Sequence, residues 1–202
     1  MAKITKRDLI LDALEELLKS NTLNNINVSD IAKTAGIGKG SIYYYFESKN
    51  EILDSLVERN YKNSIDTARN LASNKDIAPF TRMAMIFQAC RNTTKELMSQ
   101  SAIQTESTPE KAFLHQKYMS YLIKELTPVL STIISQGIAS GDINFDKPEA
   151  LAEIVLIVLT VKLDNTIVES SVDDITTTIQ ALIELLEKGT DNPIGSLNFL
   201  IS

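Results

Sequence analysis

The sequence predicts an all-α protein: an N-terminal three-helix helix-turn-helix domain followed by a larger C-terminal helical domain. Three observations carry that expectation. Apolar residues recur at helical spacing along almost the whole chain, and Asn, Ser, Asp, Gly and Pro punctuate those stretches where helix caps belong. No strand pairs, repeats or low-complexity tracts interrupt the pattern.

The elements follow in order. Ile10, Ala13, Leu14, Leu17 and Leu18 share one face of a helix expected from Lys6 to Ser20, which the polar stretch from Asn21 to Asn27 ends. Asn27, with Asp30 three residues on, resembles a capping box and opens a helix of about two turns with Val28, Ile31, Ala32 and Ala35 on its apolar face. Gly36 stands where a left-handed C-cap residue is wanted, and Gly38 precedes a third helix near Lys39. Two helices joined by a short Gly-containing turn make a helix-turn-helix. Ser48 and Glu51 form a second capping box, and Ile52, Leu53, Leu56 and Val57 begin a fourth helix expected to reach about Ala72. Further helices are expected over residues 79–100, 109–140 with Pro128 as the place where it could bend, 147–168 and 172–188. The domains divide as residues 1–50 and 51–202, and the fourth helix is the natural lever between them.

Composition narrows the function classes. A chain of 202 residues with 44% hydrophobic content can bury a sizeable core. Its longest apolar run, Ile154 to Leu159, is far short of the roughly 20 residues that span a bilayer. The stretch MAKITKRDLILD has no signal-peptide core, so a cytoplasmic protein without membrane partners is expected. One His and one Cys cannot assemble a zinc site, and no metal or cofactor is expected. No nucleophile and base pair or phosphate loop suggests an enzyme. The formal net charge is −6, yet residues 1–50 hold seven Lys or Arg against six Asp or Glu, which makes that segment the better match for a polyanion.

Half of the six tyrosines stand together at Tyr43, Tyr44 and Tyr45. Taking about 100° per residue with Ile42 at zero, Phe46 lies near 40° and marks the buried side. Tyr45, near −60°, flanks it, while Tyr43 and Tyr44, near 100° and 200°, point outward beside Gly40. Outward tyrosines on the second helix of this motif suit a major groove about 12 Å wide, where hydroxyls reach phosphates and rings touch base edges. A packing helix in an ordinary bundle is the alternative. Lys49 opposes the dipole at the start of the fourth helix, a position that makes sense if a phosphate sits there.

Residues 6–53 resemble the DNA-binding domain of the tetracycline repressor (TetR) family. The resemblance rests on Ile31-Ala32, Ala35-Gly36-Ile37-Gly38, the run from Lys39 to Phe46 (KGSIYYYF) and Ser48-Lys49. It implies that Lys39, Gly40, Ser41, Tyr43, Tyr44, Tyr45 and Lys49 hold DNA-contacting positions, with Tyr43 and Lys49 on phosphates. Ser29 takes the corresponding place in the second helix, where many members carry a longer side chain, and Gly38 replaces a frequent Ser or Thr. The resemblance also implies a homodimer reading a palindromic double-stranded operator.

In the C-terminal domain the helix from Leu151 to Leu163 is apolar nearly all round, and its successor carries a stripe from Val172 to Leu186. Two such helices from each protomer would form a four-helix dimer bundle with Leu159 at its centre. Met83, Phe87, Cys90 and Met98 on one helix, with His115, Tyr118 and Tyr121 on another, are candidates to line an apolar pocket for a small-molecule effector. The same side chains would serve as plain core. The favoured function is a repressor released by a small apolar or amphipathic molecule. The alternative is a DNA-binding protein without such an effector, controlled by a protein partner or acting structurally on the chromosome.

Overall fold

A computed structural model describes residues 4–100, 109–163 and 170–201, apart from the side chains of 98–100 and 109–111. The described residues form α-helices α1 (Lys6–Leu18), α2 (Val28–Thr34), α3 (Lys39–Tyr45), α4 (Lys49–Ser73), α5 (Pro79–Gln100), α6 (Pro109–Ser140), α7 (Pro148–Leu163) and α8 (Val172–Gly189). Two short 3-10 turns, η1 (Leu23–Asn25) and η2 (Asn198–Leu200), complete them, and the described residues contain no strand. Packing divides the chain into two compact units, residues 1–62 with 93–117 and residues 63–92 with 118–202.

In the first unit, α1 starts on a full capping box. Thr5 accepts from the Asp8 amide and Asp8 reaches back to the Thr5 amide. Hydrogen bonds from the Thr5 hydroxyl, then its amide, hold the Asp8 carboxyl below the ordinary 3.8. Ile10, Leu11 and Leu14 of α1, Ile31 of α2, Ile42 of α3 and Ile52, Leu53 and Leu56 of α4 are all buried. Outside this core, Arg59 of α4 spans Asp12 at 2.6 Å and Glu15 at 2.9 Å on α1. Arg7 donates to the Ser55 hydroxyl and lies over the Phe46 ring. These partly exposed pairs fix orientation more than they add stability.

In the second unit, α6 continues through Pro128 as helix. Pro148 is the first residue of α7, one residue after the expected start, and its fixed φ and missing N–H suit that first position. The structure follows α7 to Leu163; the remainder expected to Val168 lies outside the described residues. Ser171 and Asp174 box the start of α8, and the same pattern of hydroxyl, then amide, bonds lowers the Asp174 carboxyl. Arg82 of α5 is only 2% exposed and donates to the Ala72 carbonyl, in the last turn of α4, and to Gln136 on α6. Its Nε–H has no partner among the described residues, and the helix C-terminus supplies the negative end that a buried guanidinium needs.

Leu159 does not face outward, as a central interface residue would. It is 3% exposed within its own protomer, because α7 turns Leu151, Ala152, Leu156 and Leu159 into the core. The opposite face leaves Ile154 53% and Ile157 44% exposed.

Candidate nucleic-acid interface and effector core

The helix-turn-helix is built by caps. Asn27 accepts the amides of Ser29 and Asp30 while Asp30 accepts that of Asn27, so α2 begins at one defined residue. It ends in a Schellman motif: Gly36, at φ +68°, lets its own amide reach the Lys33 carbonyl and the Ile37 amide reach that of Ala32. The chain re-enters a helix at Lys39 after Gly38, which offers no side-chain cap. The seven-residue α3 is then held from below by Ile42 and Phe46, both nearly inaccessible.

That anchoring turns the tyrosines outward. Tyr44 is 83% exposed and Tyr43 52%, while Tyr45 is partly covered and meets the Tyr44 ring edge-on at 5.0 Å. Lys39, Gly40 and Ser29 are exposed, and Ser41 is half-buried. A Cβ added at Gly40 would meet nothing within 4 Å, and the residue is ordinary α-helix. Neither packing nor backbone therefore asks for glycine there.

Lys49 has a contact that residue spacing did not suggest. Its ammonium donates to the carbonyls of Leu23 at 2.9 Å and Ile26 at 2.8 Å, closing the loop between α1 and α2 onto the start of α4. One N–H is left for any phosphate. The Ser48 box is also redistributed: Ser48 accepts the Glu51 amide, but Glu51 takes the amide of Glu47.

The second unit holds a partly open apolar cavity of about 50 Å³. Of the residues proposed for a pocket, Met83 and Phe87 line it, whereas Cys90, Tyr118 and Tyr121 do not. His115 is buried in the first unit, and the Met98 side chain lies outside the described residues. Cys90 is buried, and desolvation pushes its thiol up to about 11. The remaining lining comes from Phe80 of α5, from α6, α7 and α8, from Ile143, Thr190 and Asn192 outside the helices, and from Leu197, Phe199 and Leu200 near the C-terminus. Sequence reading passed over those three. Their only signal was an apolar cluster just past the turn-forming run Asp191-Asn-Pro-Ile-Gly195.

A short helix exposing tyrosines beside an unobstructed glycine, after a Schellman-terminated partner helix, has the arrangement of a helix-turn-helix motif. Residues 10–56 match the family model for bacterial regulatory proteins of the tetR family, and residues 95–185 match the tetracyclin repressor-like C-terminal domain. The chain belongs to the TetR family of transcriptional regulators. The fatty acid metabolism regulator protein of Bacillus subtilis is 29% identical over 134 residues, 66% of this chain and 69% of that one. Two solved structures share the fold. SmeT, repressor of the multidrug efflux pump SmeDEF of Stenotrophomonas maltophilia, aligns with a TM-score of 0.62 at 16% identity, covering 94% of this chain and 92% of its own. RolR in complex with resorcinol aligns at 0.61 and 14%, covering 96% and 92%.

Among the described residues no helix is long and apolar enough to cross a membrane, and no group of His, Cys, Asp and Glu could hold a metal ion.

Proposed function

We propose that this chain is a cytoplasmic repressor that binds a palindromic operator as a homodimer and is released by a small apolar or amphipathic effector. Residues 1–50 carry the DNA contacts, and residues 51–202 carry effector binding and dimerisation. The observation that carries the reading is α3 itself, with Tyr43 and Tyr44 held outward over buried Ile42 and Phe46. Lys39, Gly40, Ser41 and Tyr45 complete the contact face, Ser29 adds a hydroxyl from α2, and Lys49 brings its charge to a phosphate. The apolar face of α7 with exposed Ile154 and Ile157, on a helix packed against α8 where Leu185 is also exposed, supports a dimer. An effector acts by binding one conformation better than another, and α4, whose residues belong to both units, connects its site to the DNA contacts.

One observation favours the alternative of a DNA-binding protein without a small-molecule effector. The cavity of about 50 Å³ is far below the roughly 300–1,000 Å³ of drug-sized ligand sites. An effector must therefore enlarge it.

Fluorescence anisotropy with DNA flanking the gene, comparing the parent protein with Tyr44→Ala across salt concentrations and operator variants, tests the reading. The salt slope should hold, while preference relaxes by about 1–3 kcal/mol at one or two positions of each half-site. Equal weakening on every sequence would make Tyr44 a backbone clamp. Unchanged binding by a folded variant would remove α3 as the reading head.

A further inference from the structure

After α8 the chain doubles back across the second unit. The strap from Thr190 to Ile201 lies beyond the residues matched by either family model. It turns at Asp191, whose φ of +57° is unusual for a non-glycine residue, and again at Gly195 at +91°. At the second turn it is tied to one buried side chain. The Glu187 carboxylate accepts the amides of Gly195 at 2.8 Å and Leu197 at 3.1 Å. Farther on, Arg91 of α5 donates to the Leu200 carbonyl. Leu197 and Leu200 are buried, and the Phe199 ring lies 6.1 Å from that of Phe87.

The strap is therefore one wall of the apolar cavity, and it differs in kind from the others. Most of the other lining residues stand on helices α5 to α8, whose backbones are bonded within themselves, whereas the strap beyond Asn192 is tied to them through side chains that reach its amides and one carbonyl. Enlarging the cavity by moving a helix disturbs a whole packed element; releasing the strap beyond Asn192 breaks the two bonds to Glu187 and the one from Arg91 and uncovers Leu197 and Leu200. Within the effector reading given above, on which this rests, we propose that the strap is the gate to the effector site, that Phe199 sets the size of molecule accepted, and that the effector is uncharged and apolar where it meets this wall. The apolar character follows from the lining, which presents carbon to the cavity. Removing a phenyl ring from the wall brings the cavity toward the order of 150 Å³, a size that stays dry and takes up benzene-sized molecules.

The test uses the full chain and the uncharged fluorophore N-phenyl-1-naphthylamine, with stopped-flow fluorescence for rates and titration for affinity. Binding to the parent protein should saturate in rate, limited by strap opening. Glu187→Gln should raise that limit about tenfold, the effect of about 1.4 kcal/mol, and Phe199→Ala should tighten Kd by a similar factor. Ile194→Ala, on the strap but 98% exposed, should change neither. If Glu187→Gln does not fold, Phe199→Ala carries the test, since Phe199 is only half-buried at the surface. Parent-like binding by both variants, with helical circular dichroism intact, overturns the gate; so does the absence of probe binding to any form. Probe binding that follows the strap variants but leaves DNA affinity unmoved supports the gate and removes the effector reading instead.

Discussion

The ammonium of Lys49 lies 2.8 Å from the carbonyl of Ile26, and the same group holds Leu23. A residue at the start of α4 thus fastens the loop that delivers α2. Lys49→Ala is expected to act twice. Losing charged hydrogen bonds to two carbonyls should cost about 1–3 kcal/mol in urea unfolding. Losing one phosphate contact from each protomer of a dimer should flatten the slope of log K against log salt by about 1.8. Lower stability with an unaltered slope would leave Lys49 a clamp and nothing more.

Gly40→Ala separates the needs of the fold from those of DNA. The added methyl meets no neighbour and improves helix propensity, so stability should rise by up to about 1 kcal/mol. Operator affinity should nevertheless fall about tenfold, on the order of 1.4 kcal/mol, because the backbone can no longer approach as closely. Thermal unfolding and anisotropy on the same preparation give both values. Undiminished affinity would show that DNA stays clear of this residue.

The two faces of α7 should respond differently. Leu159→Ala removes core and should destabilise the protomer by about 2–5 kcal/mol. Ile157→Glu puts a charge on the exposed face, so the protomer should stay folded while the dimer dissociates. Sedimentation velocity decides: a parent-like dimer with Ile157→Glu would place the interface elsewhere.

Cys90 should behave as core rather than as a redox sensor. Its thiol is raised from 9.0 to about 11, so near pH 8 the folded chain holds roughly a hundredfold less thiolate than an ordinary cysteine. The unfolded thiol ionises first as pH rises, so this residue leaves stability unaffected below about 9 and lowers it from there toward 11. Reaction with Ellman's reagent should be slow in buffer and quick in guanidinium. Rapid labelling of the native protein would contradict this.

The helix order was legible because its signals are local. The Asn27 and Asp30 box, Gly36 after α2 and Pro148 at the head of α7 act within a few residues of themselves, and the outward turn of Tyr43 and Tyr44 follows from helical angle once Ile42 and Phe46 are buried. Lys49 was read from the dipole of its own helix, and its carbonyl partners, more than 20 residues earlier in the chain, were out of reach of that argument. On α7, apolar residues surround the axis, so periodicity alone did not distinguish Leu159 from Ile157. The cavity wall was least legible: Phe87 meets Phe199 where Glu187 and Arg91 tie residues 195–200 back, and no spacing rule encodes a contact across more than a hundred positions.

The division of labour within α3 bears on how such a protein changes over generations. Ile42 and Phe46 secure the helix, while Gly40, Tyr43 and Tyr44 bear little packing duty. Substitutions at these outward positions escape the filter that stability imposes on most mutations. A duplicated copy could therefore drift to a different operator through a few changes on one exposed surface, with every residue that folds the domain left as it was.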